Sequence, residues 1–318
     1  MTPAAHLAAA LRESRGFAHK RDIGDAVAAL GRQAVGTGDD TAVLPDGDGH
    51  LLFAIEGFVA DFVATLPWFA GWCGVMVNVS DIAAMGGRPV AVVDAVWSRG
   101  AAQSAEVMAG LAAASERYGV PVVGGHSNHR ADGAQLAVAI VGRATRLLTS
   151  FDARPGHRLV VAVDLRGAYQ EPHPYWNAAT DAPGDRLRGD LALLPGLAED
   201  GLCGAAKDIS MAGVVGTALM LLECSRVGAT IDVDAIPRPA GVPLARWLSS
   251  FPSFGFVLSV APADADTVCA RFAARGIASA VVGEVDATRR VVLRHGGADA
   301  ELWDLAREPF ILPEVGDA

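Results

Sequence analysis

The stretch PWFAGWCGVMVNVSDIAAMGG, residues 67–87, constrains the fold more than any other segment. Pro67 is tolerated in a first helical turn, and the paired glycines Gly86 and Gly87 are a stop signal, so the spacing predicts one long helix. Glycines and Asp81 interrupt its apolar run, which therefore does not read as a membrane span. The helix is apolar on most sides and must be buried. Asp81 is the anomaly, set among Val77, Val79, Ile82, Ala83, Ala84 and Met85 and sharing a face with Asn78 at i,i+3. A carboxylate in that setting is costly unless it meets a cation or hydrogen-bond donors; backbone amides of a nearby loop are the structural alternative.

Strand patterns flank this helix at residues 50–60 and 88–98. Helices are expected over 2–14, 22–34 and 101–118, a short buried strand over 120–125 and a further strand over 134–144, with a turn-rich acidic stretch at 36–49. The pattern resets at TRLLTSFDARPGH, residues 145–157, where a domain boundary is expected, giving domains 1–150 and 151–318. The second half again mixes strands (158–165, 229–236, 254–260, 279–285) with helices (210–227, 262–275). This is an α+β chain of two related domains, although no direct repeat is visible. Residues 166–190 form a long aromatic and polar insertion, read either as a lid or binding loop or as a surface connection.

With 318 residues and 51% hydrophobic content, a sizeable core is available. The net charge of −10 argues against nucleic-acid or anionic-membrane partners. The N-terminus lacks a basic region and a long apolar core, and reads as an amphipathic helix in a cytoplasmic protein. Cys73, Cys203, Cys224 and Cys269 never form C-x-x-C and read as reduced thiols.

No P-loop, G-x-G-x-x-G, H-E-x-x-H or G-x-S-x-G is present. What remains is a set of acids beside small residues. Gly38-Asp39-Asp40 is a glycine turn suited to Mg²⁺, a hard cation that takes oxygen ligands, or to Asx-turn bonding. Glu56 ends an apolar strand before Gly57, as a cleft ligand or a solvated edge. Gly124-Gly125-His126-Ser127-Asn128 follows a strand, and its glycines let backbone amides approach an anion. His126 there is compatible with a ligand, a phosphate contact or a satisfied turn histidine. Asp208 and Ser210 precede a helix whose N-terminus suits an anion, or they simply cap it. Together the acids and amide-rich turns read most economically as Mg²⁺ bridged to a triphosphate.

These motifs, GDDTAVL, NVSDIAAMGGRP, GGHSN, KDIS and VVGEV, resemble those of the aminoimidazole ribonucleotide (AIR) synthetase superfamily across nearly the whole chain. Its members include thiamine-monophosphate kinase, selenophosphate synthetase and the hydrogenase maturation protein HypE. The resemblance implies a two-domain PurM-like fold, with N- and C-terminal AIR-synthase-type domains. It also implies a homodimer through N-terminal-domain sheets, ATP and Mg²⁺ as cofactors, and a small-molecule substrate. By motif, Asp40, Asp81 and Asp208 are implied metal ligands. Asp39, Glu56, Asn78, Gly124, Gly125, His126, Ser127 and Lys20 are implied to serve the nucleotide site, Lys20 reading more readily as an exposed helix-flanking lysine.

The chain departs from family motifs at Ala54-Ile55-Glu56, where threonines precede the acid, and at Ser210-Met211-Ala212, where the pattern is S-D-G. The reactive cysteine element of the selenophosphate enzyme is absent. The resulting expectation is an ATP- and Mg²⁺-dependent enzyme of kinase or cyclo-ligase type acting on a small polar metabolite. The alternatives are a nucleotide-binding maturation partner without turnover and a selenophosphate-synthetase-like dikinase.

Overall fold

The computed structural model describes residues 1–30 and 38–312. In chain order, the first half contains α1 (Pro3–Arg12), α2 (Arg15–Leu30), β1 (Ala42–Asp46), β2 (Gly49–Phe58), α3 (Ala60–Thr65), α4 (Pro67–Ala84), β3 (Arg88–Trp97), α5 (Ala101–Tyr118), β4 (Val122–Asn128) and β5 (Gln135–Ala144). The second half begins with β6 (Arg158–Val163), β7 (Ala168–Tyr169), β8 (Tyr175–Asn177), α6 (Gly184–Leu191), α7 (Leu193–Glu199), β9 (Ala205–Asp208), α8 (Gly213–Cys224) and β10 (Gly228–Asp232). It ends with α9 (Leu244–Leu248), β11 (Phe251–Pro252), β12 (Gly255–Val260), α10 (Ala265–Ala273), β13 (Ala278–Asp286), β14 (Arg290–His295) and β15 (Ala298–Asp304). No helix among the described residues is long and apolar enough to cross a membrane.

The chain divides into two compact units: one holds residues 40–147 and 179–199, the other 1–39, 148–178 and 200–318. The sequence reading of 1–150 and 151–318 has its boundary close to one of these divisions. However, the N-terminal helices group with the C-terminal sheet, and residues 179–199 group with the first sheet. The physical reason for the first difference is an aromatic cluster. The ring of Phe17 on α2 lies 5.2 Å from Phe310 and 6.3 Å from Trp303, with Arg12 stacked 4.0 Å over Trp303.

The unit of residues 40–147 and 179–199 is built on a five-stranded sheet ordered β1-β2-β5-β3-β4. All its neighbours are antiparallel except β3 and β4, which run parallel with α5 as the crossover. Leu52, Val92, Val96, Leu136, Val138 and Ile140 are buried on one face, on which α4 packs. α4 is buried from Phe69 to Ala84. It ends as its glycines predict: Gly86 has φ +72, its N–H donates to Ala83 O at 2.8 Å, and Gly87 N–H donates to Ile82 O at 2.9 Å.

The other unit is built on a seven-stranded sheet ordered β15-β14-β10-β13-β6-β12-β9, with a three-stranded sheet β11-β8-β7 beside it. The wholly buried α8 packs against β9, β10 and β12. The insertion at 166–190 thus contributes β7, β8 and α6 rather than a bare loop. Four expectations are corrected. β1 lies inside the stretch read as turns, and α3 was not foreseen. The helix expected over 22–34 starts at Arg15, its last residues lying outside those described. The strand read as buried over 120–125 is β4, exposed over Val123–Asn128 because it ends the sheet with only β3 beside it.

Candidate active site

In the first-sheet unit the sequence-predicted residues gather around α4. Asn78 is fully buried, and its Nδ2 donates to Gly74 O at 2.8 Å and Val138 O at 3.0 Å. Two carbonyl partners fix the amide orientation, because only the NH₂ end can donate. Asn78 Oδ1 is then buried with no hydrogen-bond partner. One turn on, Asp81 is buried, and a carboxylate oxygen of it lies within 4.8 Å of one from Asp40, in the turn before β1. Thr41, next to Asp40, is buried, and its Oγ1 has no partner. The two acids could hold a hard cation, and an orphaned amide oxygen and an orphaned hydroxyl stand on the same two segments of chain.

Register places Glu56 and the glycine segment. Glu56 on β2 pairs with Val138 on β5, Val138 with Asp94 on β3, and Asp94 with Gly125 on β4. Paired residues share a face, so this row lies on the face that α4 covers. Ser127 lies on that face too, whereas Gly124 and His126 lie on the opposite one, where the His126 ring is 6.0 Å from Trp97. β4 forms a sheet edge, so its outward N–H groups carry no ladder bond and remain available to an anion.

Sequence reasoning missed Asp94. It is only 8% exposed, and burial pushes its carboxyl above the usual range, more than its own backbone amide pulls it down. A Cβ on Gly125 would fall 2.5 Å from Asp94 Oδ2, which is why the position is glycine. The available signal was the same as for Asp81: one acid inside the apolar run RPVAVVDAVW.

In the seven-stranded unit, Asp208 ends β9 and is buried, as is Lys207 beside it. Neither Asp208 nor Ser210 caps α8; the cap residue is Ala212, with no side-chain cap bond. Ser210 Oγ is buried without a partner, while Ser210 N–H donates to Thr217 Oγ1 at 3.2 Å. Asp39, expected at the nucleotide, instead accepts bonds at Oδ1 from Ser150 N–H (3.0 Å) and Ser150 Oγ (2.7 Å). Gly38 O accepts from Lys207 Nζ and Cys224 Sγ, each at 3.4 Å. Lys207 and Ser150 therefore hold the turn that leads into Asp40. Lys207 was also missed, its signal being a lysine in an otherwise buried strand. Lys20 sits half-buried on α2.

The family model for the AIR synthase related protein N-terminal domain matches residues 38–144, and that for its C-terminal domain matches 180–296. The uncharacterized protein sll0787 of Synechocystis sp. is 46% identical over 308 residues, covering 94% of this chain and 95% of that protein. T. maritima PurL complexed with ATP superposes with TM-score 0.73 at 18% identity, covering 100% of this chain and 53% of that one. AaThiL complexed with AMPPCP and TMP superposes with TM-score 0.67 at 19% identity, covering 88% of this chain and 95% of that one. The chain thus spans about half the length of PurL, and at these identities the two solved structures establish the shared fold.

Proposed function

Because the chain belongs to the AIR synthase-related family, we propose that it is an ATP- and Mg²⁺-dependent enzyme that phosphorylates or otherwise activates a small polar metabolite. The observation that carries this reading is the approach of the Asp40 and Asp81 carboxylates to within 4.8 Å beside orphaned buried oxygens. Solved relatives of the same fold hold ATP or AMPPCP, which supports a nucleotide as the ligand.

In this reading Asp40 and Asp81 hold the metal, with Asp208 as the third ligand that the motif resemblance implies. Bound Mg²⁺ would neutralise the charge that builds on a transferring phosphoryl group. The chain's own groups do the rest. Lys207 and Ser150 fix the Gly38-Asp39 turn so that Asp40 is presented without reorganisation. The outward amides of β4, unobstructed at Gly124 and Gly125, orient phosphate oxygens, and burial of Asn78 and Asp81 excludes bulk water from the metal side.

A partner protein that binds nucleotide without turnover is favoured by one feature: Met211 stands where the family pattern S-D-G has its acid. A single-turnover assay with γ-labelled ATP against a metabolite panel separates the two. Label transfer or ADP release that depends on one metabolite supports the enzyme, and tight ATP binding with no product overturns it.

The proposal includes a second copy of the chain. The face of the first sheet opposite α4 exposes Leu44, Phe53, Ile55 (69%) and Val93, with the row Ile55–Ala139–Val93–Gly124 crossing it. Such a contiguous apolar face marks an interface. Sedimentation equilibrium is expected to give a dimer that Ile55→Glu converts to monomer; a monomeric wild type refutes it.

A further inference from the structure

Gly38 stands two residues before Asp40 in a conformation that glycine alone takes readily, φ +112. What fixes it is the packing around it. Its O accepts from Lys207 Nζ and Cys224 Sγ, each at 3.4 Å. Neither bond is strong: the Lys207 distance lies beyond the usual N–H···O range of about 2.7–3.2 Å, and a thiol is a weak donor. The remaining contacts are apolar. A Cβ on Gly38 would fall 2.7 Å from Cys224 Sγ, 3.4 Å from Leu312 Cδ2 and 3.8 Å from Ile311 Cδ1. Ile311 and Leu312 thus stand directly against the turn.

Their segment is itself pinned from two sides. Glu223 on α8 accepts the Phe310 N–H at 2.6 Å and the Ile311 N–H at 2.8 Å. On α2, a Cβ on Gly24 would fall 3.5 Å from Ile311 O. Cys224, which reaches Gly38 O, is the next residue of α8 after Glu223. Adjacent residues of one buried helix therefore fix the segment and the turn in a common frame, all within the seven-stranded unit. Ile311 and Leu312 lie beyond both stretches that the family models match.

A misplacement of about 1 Å in a reacting site can cost about 100-fold, so a glycine turn that presents a metal ligand needs support from outside itself. We propose that Ile311 and Leu312 are positioning residues for the candidate metal site: pinned by Glu223, they are the apolar backing that holds Gly38 and so sets where Asp40 is presented. Their effect on a metal rests on the proposed enzymatic reading; their hold on the turn does not.

Hydrogen exchange in the full chain reads that hold without nucleotide or metal. Ser150 N–H donates to Asp39 Oδ1 at 3.0 Å, so its exchange reports whether the turn stays in place. Leu312→Ala is expected to speed exchange at Ser150 at least about tenfold beyond any change in the amides of the buried strand β12. A residue that serves only general stability moves both together, as expected of the control Val268→Ala, a fully buried truncation on α10. Ser150 and β12 moving together in Leu312→Ala overturns the proposal. Should Leu312→Ala not fold, Leu312→Val serves, because valine has no Cδ2, and the same comparison decides.

Calorimetry with Mg²⁺-ATP reads the consequence. Affinity is expected to fall at least about tenfold in Leu312→Ala and to stay at the wild-type value in Val268→Ala. Wild-type affinity in Leu312→Ala overturns the positioning role. A wild type that binds no Mg²⁺-ATP overturns the enzymatic reading instead, and the exchange comparison still decides whether the segment holds the turn.

Discussion

Two buried helices, α4 and α8, handle polar groups in opposite ways. α8 carries Glu223, 4% exposed, and each of its oxygens accepts a backbone N–H, from Phe310 at 2.6 Å and Ile311 at 2.8 Å. That carboxylate has a complete structural explanation: it ties the C-terminal segment, with Phe310 in the Phe17–Trp303 cluster, onto the core. α4 carries Asn78 with an orphaned Oδ1 and lies over Asp94, which takes no bond from another residue among those described. A buried acceptor that the fold satisfies belongs to the architecture. One that the fold leaves unsatisfied carries a cost that no packing contact offsets. The distinction separates two kinds of acid that look alike in the sequence, each being one charge in an apolar run.

Substitutions on the two sides should therefore have opposite signs. The largest effect is expected for Glu223→Ala, which leaves two buried N–H groups without acceptors and should cost about 3 kcal/mol in urea-denaturation midpoint analysis. A loss below about 1 kcal/mol would show that the clamp is incidental. Asp94→Asn should instead stabilise the chain by about 1 kcal/mol in the same measurement, since a buried charge is removed with no bond lost. Clear destabilisation would mean that the carboxylate has a structural partner and would erase the contrast.

The smallest effect concerns pH. Burial raises the Glu223 carboxyl above its ordinary value of 4.5, outweighing the backbone amides that pull it down. A carboxyl raised in the folded state favours folding most below its unfolded value, and that contribution is lost as pH rises through the folded value. The stability of wild type relative to Glu223→Gln should accordingly decline as pH climbs above about 4.5. A flat difference would show that the two states titrate alike.

The sequence carries some of this plainly and some not at all. α4 is legible because Pro67 and Gly86-Gly87 bracket one apolar run, and the geometry at Gly86 is the one its residues require. β4 is misjudged as buried because an apolar run reports its own composition and not what lies beside it; only the strand order puts it at an edge. Likewise Glu56 and Asp94 share a row only because β5 runs between β2 and β3, a pairing that no local pattern encodes. Asp39 and Asp40 are neighbours of one residue type, yet one bonds Ser150 and the other approaches Asp81. Motif resemblance gives the two different roles, and their surroundings differ as well.

The central claim is that Asp81 is buried in α4 to hold a metal for a nucleotide. Calorimetric titration of ATP into wild type and Asp81→Asn, each with and without Mg²⁺, tests it most directly. The account predicts Mg²⁺-dependent ATP binding by the wild type, weakened at least about 100-fold in a folded Asp81→Asn. Wild-type affinity for Mg²⁺-ATP in that variant would contradict it.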